Sequence, residues 1–141
     1  MIAWRSPRLD ALPVRHGFTG AAVALRGPDA ERDFAAVAAE LSSVGDVLLV
    51  DVREPGERAD HGVIAEAVHI PRGMLEFCAD PASPAHHPEL RPDRRVILHC
   101  ASGGRSALAT VVLKEMGYGD VAHLDGGLNA WRDARLPIGH C

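Results

Sequence analysis

The chain has 141 residues and a formal net charge of −4, with 47% apolar and 24% charged residues. This length suits one domain with its own hydrophobic core, and the composition is that of an ordinary globular protein. The negative charge and the single lysine, Lys114, argue against nucleic-acid binding, which needs clustered basic side chains. No apolar run approaches the roughly 20 residues that span a bilayer, and the N-terminus lacks the apolar core of a secretory signal. We therefore expect a cytoplasmic protein that binds neither nucleic acid nor membrane.

The three cysteines are odd in number and widely separated in the chain. Cys78, Cys100 and Cys141 form no CxxC pair, so we expect neither a disulfide framework nor a thiolate zinc site. Cys78, beside Phe77, is typical of a buried structural thiol, and Cys141 is expected to be a solvated terminal thiol. The prediction is a set of reduced thiols, with no metal and no cofactor.

The N-terminal part of the chain lacks clear periodicity. Residues 1–27 are predicted to form an irregular arm, and residues 28–141 a single domain. A helix is predicted from Pro28 to about Gly45, because one face collects four apolar side chains at helical spacing. These are Phe34, Val37, Ala38 and Leu41.

The rest of the chain alternates short apolar runs with helical patterns. Strands are predicted at Asp46–Val52, Ala67–Ile70, Arg95–His99 and Val121–Leu124. Helices are predicted at Pro55–Ala59, Gly73–Phe77 and Ser106–Met116, and from Gly126-Gly127 through Trp131. The segment 80–93 contains four prolines and is predicted to be a loop. This alternation predicts a doubly wound α/β fold, with a mainly parallel central sheet and helices on both faces.

The most informative segment is Val96–Ser106, where an apolar strand ends in Cys100 and a glycine-containing loop leads to Arg105. This junction places a thiol at a helix N-terminus, where backbone N–H groups favour negative charge. A free cysteine has a pKa of about 8.5, which such surroundings lower to roughly 3.5–7.5. Arg105 adds a permanent positive charge that suits oxyanions. The segment therefore predicts a reactive thiolate in an anion-binding loop.

Three motifs in chain order resemble the signatures of single-domain rhodanese-like sulfurtransferases. They are Asp51–Glu57 (DVREPGE), His99–Ser106 (HCASGGRS) and the pair GYGDV and LDGGLNAW within Gly117–Trp131. The match covers roughly residues 30–138. The resemblance implies a rhodanese-like fold in which Cys100 carries the sulfur.

One segment departs from the family pattern. A Gly-His-Ile-Pro-Gly-Ala-like turn is usual where this chain has Gly62-Val63-Ile64-Ala65-Glu66-Ala67. Glu66 stands where a glycine is usual, so we expect strain there if the turn requires a positive φ.

The resemblance also implies a mechanism. The Cys100 thiolate takes a sulfane sulfur from a small anionic donor such as thiosulfate, and the resulting persulfide passes it to cyanide, a thiol or a protein thiol. The amides of residues 101–105 would bind the anionic group. The loop residues assigned to this site are Ala101, Ser102, Gly103, Gly104, Arg105 and Ser106.

Asp51 and Arg53 are expected to support the loop through hydrogen bonds, because they lie at the carboxyl end of a predicted strand. His99 should point to the opposite face of the sheet from Cys100. We expect no metal at His86 and His87, which are adjacent in a loop.

Two other functions remain open from the sequence. Cysteine phosphatases and arsenate reductases also place a cysteine before a loop and an arginine, but phosphatase loops are one residue longer than the four residues between Cys100 and Arg105. A shorter loop suits a single sulfur atom better than a tetrahedral phosphoryl group. The other alternative is a non-catalytic rhodanese-like binding module or persulfide carrier.

Overall fold

A single parallel sheet runs through the part of the chain that the computed structural model describes, which is residues 23–24, 39 and 46–141. Its strands are β1 (Val23–Ala24), β2 (Val47–Asp51), β3 (Val68–His69), β4 (Arg95–His99) and β5 (Val121–His123). Their order across the sheet is β1-β5-β4-β2-β3, and every pairing is parallel. The strand that precedes Cys100 is therefore the central one.

A helix follows each of the strands β2 to β5. These helices are α1 (Pro55–His61), α2 (Leu75–Ala79), α3 (Gly104–Glu115) and α4 (Gly127–Asp133), with a 3₁₀ turn at Arg72–Met74 before α2. Within the described residues, none of these helices has the length and hydropathy needed to cross a bilayer.

The two faces of the sheet are buried in separate apolar clusters, because successive side chains of a strand point to opposite faces. On β4, Val96 and Leu98 join the cluster that includes Cys100 and the apolar side chains of α2 and α3. Ile97, between them, joins the other cluster, which includes Trp131 of α4. Helices thus cover both faces, and the doubly wound α/β prediction is confirmed.

The predicted elements agree closely with the observed ones. The strand at Arg95–His99 has the predicted bounds, and the helix predicted at Pro55–Ala59 extends to His61. The helix predicted from Ser106 begins earlier, at Gly104. The segment 80–93 contains neither helix nor strand. Trp131 anchors α4 as predicted, since its buried indole N–H donates to the Pro137 carbonyl at 2.9 Å.

Two expectations need correction. The sequence assigned no strand to residues 1–27, yet Val23 and Ala24 pair in parallel with Ala122 and His123. Glu66 carries no strain of the expected kind, because Arg135 is the only non-glycine residue with positive φ among the described residues. Most of the helix predicted from Pro28 lies outside the described residues; Ala39, which lies within them, is helical.

Candidate active site

Cys100 lies at the carboxyl end of the central strand, between the ends of β2 and β5. In the sheet register, Asp51 of β2 pairs with His99, and His123 of β5 pairs with Leu98. Ligand sites of open α/β sheets form outside the carboxyl ends of their strands. The topology therefore brings the ends of three strands together around this cysteine.

The Cys100 sulfur is enclosed by its own loop. The side chain is 1% exposed, Sγ accepts a hydrogen bond from the Gly103 N–H at 3.1 Å, and Ser106 Oγ lies 3.6 Å from Sγ. Gly103 adopts φ +106°, and a Cβ there would lie 2.9 Å from the Gly126 nitrogen. Only glycine fits this close approach with that backbone, so Gly103 allows the loop to turn its amide onto the sulfur.

The surroundings of Cys100 favour the thiolate. Burial raises the pKa of Cys100, but hydrogen bonds from the Ser106 hydroxyl and from the backbone of Ser106, Gly103 and Ser102 outweigh it and hold the pKa below its ordinary value. The sulfur also faces the first turn of α3, whose N–H groups have no partners within the helix. These are the conditions that activate a cysteine as a nucleophile.

Arg105 is engaged by a carboxylate that the sequence did not assign to the site. Its guanidinium forms two hydrogen bonds to Glu57 of α1, at 2.8 Å and 2.7 Å. The Arg105 hydrogen bond lowers the pKa of Glu57 to about 2, and the same contact raises the pKa of Arg105. Glu57 also accepts from the Glu54 N–H at 2.8 Å, which completes a capping box at the start of α1. This pair therefore ties α1 to the active-site loop.

Asp51 and Arg53 form a buried pair beside the loop. Arg53 donates from Nε and Nη2 to the Asp51 carboxylate at 3.0 Å and 2.8 Å, and also to the Gly62 carbonyl at 2.8 Å. Burial raises the pKa of Asp51, but the Arg53 hydrogen bond and coulombic interactions with His99 and Arg53 outweigh burial. The pKa of Asp51 therefore lies below its ordinary value, and the carboxyl is held ionised. His99 Nε2 lies 3.7 Å from Asp51 Oδ2. These residues hold β2, β4 and the end of α1 together, since Gly62 caps the C-terminus of that helix.

The N-terminus of α4 closes the other side of the loop. The Leu128 N–H donates to the Cys100 carbonyl at 2.8 Å, and the Asn129 N–H donates to the Ala101 carbonyl at 3.0 Å. Gly127 has φ +56°, and a Cβ there would overlap the Cys100 carbonyl oxygen and lie 2.8 Å from the Ala101 carbonyl. The loop backbone is therefore held by a second helix.

The structure brings some of the predicted site residues together more closely than others. Gly103 and Ser106 contact the sulfur and are buried, whereas Ser102 is exposed. Ala101, Gly104 and Arg105 are partly buried. Asp51 and Arg53 contact the strand ends that frame the loop.

The sequence assigned no role to Glu57 or His123. Glu57 binds Arg105, and His123 Nδ1 lies 3.5 Å from Ser106 Oγ. The available signal for His123 was its position at the carboxyl end of a predicted strand.

The other two cysteines lack the surroundings that activate Cys100. Burial raises the pKa of Cys78, which packs against the core as a partly buried thiol, and Cys141 is exposed. Within the described residues, no cluster of three or more His, Cys, Asp or Glu side chains could hold a metal ion.

Comparison with known sequences identifies related proteins. A model of the Rhodanese-like domain family matches residues 34–134. A protein named Sulfurtransferase from Allochromatium vinosum is 38% identical over 108 residues, which cover 77% of this chain and 92% of that protein. A protein of Mycobacterium tuberculosis named "Probable adenylyltransferase/sulfurtransferase MoeZ" is 35% identical over 97 residues, covering 69% of this chain and 23% of its own length.

Solved structures share the fold. A protein of unknown function from Rhodopseudomonas palustris, described as a possible tyrosine phosphatase, superposes with a TM-score of 0.78 at 35% identity, covering 98% of this chain and 97% of that one. A thiosulfate sulfurtransferase from Pseudomonas aeruginosa superposes with a TM-score of 0.65 at 24% identity, covering 84% of this chain and 20% of that one.

Proposed function

The chain belongs to the family of rhodanese-like domains, and on that premise we propose that it is a sulfurtransferase in which Cys100 carries the sulfur as a persulfide. One observation carries the proposal: Cys100 Sγ accepts the Gly103 N–H at 3.1 Å at the start of α3. A hydrogen bond of this kind favours the thiolate, so the sulfur can act as a nucleophile without a separate general base.

The proposed reaction has two displacement steps. The Cys100 thiolate attacks the outer sulfur of an anionic donor such as thiosulfate, forming an S–S bond, and the S–S bond of the donor breaks as sulfite leaves with the electron pair. A thiol, a protein thiol or cyanide then attacks the outer persulfide sulfur and returns Cys100 as a thiolate. Backbone N–H groups of residues 101–105 face the donor anion and the outer sulfur, since helix N-termini bind anions.

Arg105 contributes orientation and positive charge to this site. Both of its outer nitrogens are bound by Glu57, so the guanidinium is held rigid at the edge of the loop. In the proposed mechanism it stiffens the loop, and its charge also acts on Cys100. A reducing, cytoplasmic compartment would keep the cysteine free for this chemistry.

A phosphatase or arsenate reductase is the competing catalytic proposal, and the Rhodopseudomonas palustris neighbour, a protein of unknown function, is described as a possible tyrosine phosphatase. One feature of this chain opposes it: the four residues between Cys100 and Arg105 form a loop one residue shorter than the phosphatase pattern. A non-catalytic binding module would have no use for the hydrogen bonds that lower the pKa of Cys100.

A sulfur-transfer assay tests the proposal. The protein should form thiocyanate from thiosulfate and cyanide with the parallel-line kinetics of a two-step displacement. Cys100→Ser should abolish this activity, whereas the matched control Cys78→Ser should retain it. Hydrolysis of an aryl phosphate that depends on Cys100, without thiocyanate formation, would instead establish the phosphatase. Absence of both activities would favour the binding module.

A further inference from the structure

A buried histidine adjoins the hydroxyl group that contacts the Cys100 sulfur. Ser106 Oγ lies 3.6 Å from Cys100 Sγ and 3.5 Å from His123 Nδ1. We propose that His123 is a positioning residue that donates from Nδ1 to Ser106 Oγ, directs the hydroxyl proton toward Cys100 Sγ and thereby stabilises the thiolate. This inference deepens the proposed function and rests on it only for its consequence in catalysis.

The hydrogen-bonding capacity of Ser106 explains why a second donor matters. The hydroxyl has one proton and two acceptor positions. With Cys100 as a thiol, the S–H donates to Ser106 Oγ, and the hydroxyl proton is directed at the Gly103 carbonyl oxygen, 3.2 Å away. Once the thiol proton has left to solvent, the hydroxyl proton is better directed at the sulfur, since hydrogen bonds to an ionised partner are roughly twice as strong as neutral ones.

The second acceptor position of Ser106 Oγ is available to an N–H at His123 Nδ1. That N–H keeps the hydroxyl from donating to His123 and polarises the O–H toward the sulfur, because hydrogen bonds in a chain strengthen one another. His123 exchanges no proton in this account. It keeps its own proton and changes only the direction in which Ser106 donates.

The environment of His123 favours the neutral ring with its proton on Nδ1. The side chain is 1% exposed, and burial lowers the pKa of His123 in spite of Asp125 and the Leu124 backbone, which act to raise it. Nε2 is buried and has no hydrogen-bond partner among the described residues. An N–H there would be an unsatisfied donor, whereas an N–H at Nδ1 has Ser106 Oγ to accept it.

The other groups around Ser106 do not offer the same donor. Thr110 Oγ1 donates to the Ser106 backbone carbonyl at 2.9 Å, so it does not reach the hydroxyl. The buried His99 has its ring directed at Asp51 and at the Cys100 carbonyl. Once Cys100 is ionised, His123 is therefore the side chain among the described contacts of the Ser106 hydroxyl that can donate to it.

The test measures the thiolate directly, with no sulfur donor present. In a variant that carries both Cys78→Ser and Cys141→Ser, the ultraviolet absorbance of the thiolate, measured against pH, reports Cys100 alone. The same variant with Cys100→Ser as a third substitution serves as the blank. His123→Leu should lower the thiolate fraction at neutral pH roughly three- to tenfold, the effect of one hydrogen bond. His123→Asn, whose amide nitrogen can occupy the place of Nδ1, should restore the thiolate fraction. His123→Gln, with its amide nitrogen farther out, should behave like His123→Leu.

A double-mutant comparison decides whether the effect passes through Ser106. Ser106→Ala should lower the thiolate fraction by itself, and adding His123→Leu should then change it no further. The inference is overturned if His123→Asn and His123→Leu give the same titration, or if the two effects add. If His123→Leu fails to fold by circular dichroism, the Asn and Gln variants decide alone. A normal titration in a protein without thiocyanate formation would refute the proposed function and leave this inference standing.

Discussion

The guanidinium of Arg105 and the carboxylate of Glu57 connect the active-site loop to a helix from another part of the chain. Both side chains are partly exposed, at 39% and 30%, so solvent screens their attraction and limits its contribution to stability. The pair matters more for the position of the Arg105 side chain than for stability. Two parallel hydrogen bonds fix the plane of the guanidinium, which holds Arg105 against the edge of the loop that contains Cys100.

Replacing Glu57 should change how stability depends on pH. The folded-state pKa of Glu57 is about 2, below its ordinary value of 4.5. The pair therefore stabilises the fold fully above pH 4.5, and this contribution is lost as the pH falls through about 2. Above pH 4.5 the free energy of unfolding of wild type should exceed that of Glu57→Gln by about 1 kcal/mol or less. This difference should vanish in acid.

Urea denaturation at several pH values measures this difference. Glu76→Gln, which breaks an exposed ion pair with Arg72, controls for the loss of a surface carboxylate. A gap between wild type and Glu57→Gln that stays constant down to pH 2 would show that the ion pair is not its source.

Sequence patterns locate the nucleophile better than its partners. Cys100 and its loop could be predicted because they are contiguous and lie between a strand and a helix. Glu57 and His123 could not be assigned, since their roles depend on α1 lying against the loop and on β5 lying beside β4. The positive charge of Arg105 beside the loop could be predicted, but its contact with Glu57 is specified by the fold rather than by local spacing.

Helix α4 acts as a support for the active-site loop. Its first turn donates to the carbonyls of Cys100 and Ala101, directly after the end of β4. This arrangement requires Gly127, because its positive φ and its contact with the loop backbone leave no room for a side chain. The motif LDGGLNAW, first seen as a family resemblance, thus has a physical function at this position.

Gly127→Ala should therefore weaken both the fold and the loop. A methyl group there would overlap the Cys100 carbonyl in a backbone conformation that alanine disfavours, and such overpacking costs about 1–3 kcal/mol. Urea denaturation should show this loss, and the pKa of Cys100 should rise as the loop shifts. Gly73→Ala is the matched control, since a Cβ at Gly73 meets nothing within 4 Å. Equal stability of the two variants would contradict the supporting role of α4.

The sheet explains how distant parts of the chain meet at one cysteine. Parallel strands place all their carboxyl ends at one edge, and the order β1-β5-β4-β2-β3 puts Cys100 between Asp51 and His123. The fold class could be predicted because short apolar runs, which mark the strands, alternate along the chain with helical patterns. The two-residue strand β1 could not, since Val23–Ala24 has no periodicity of its own and is defined by pairing with β5. The boundary between residues 1–27 and 28–141 remains a prediction.

Intact-mass spectrometry after incubation with thiosulfate tests the central claim most directly. Wild type should gain the mass of one sulfur atom, and cyanide or dithiothreitol should remove it. Cys100→Ser should gain nothing, whereas Cys78→Ser should gain the same sulfur as wild type. An unmodified wild type would contradict a thiosulfate-fed persulfide, and a Cys100→Ser variant that still gains sulfur would contradict the assignment of Cys100 as its carrier.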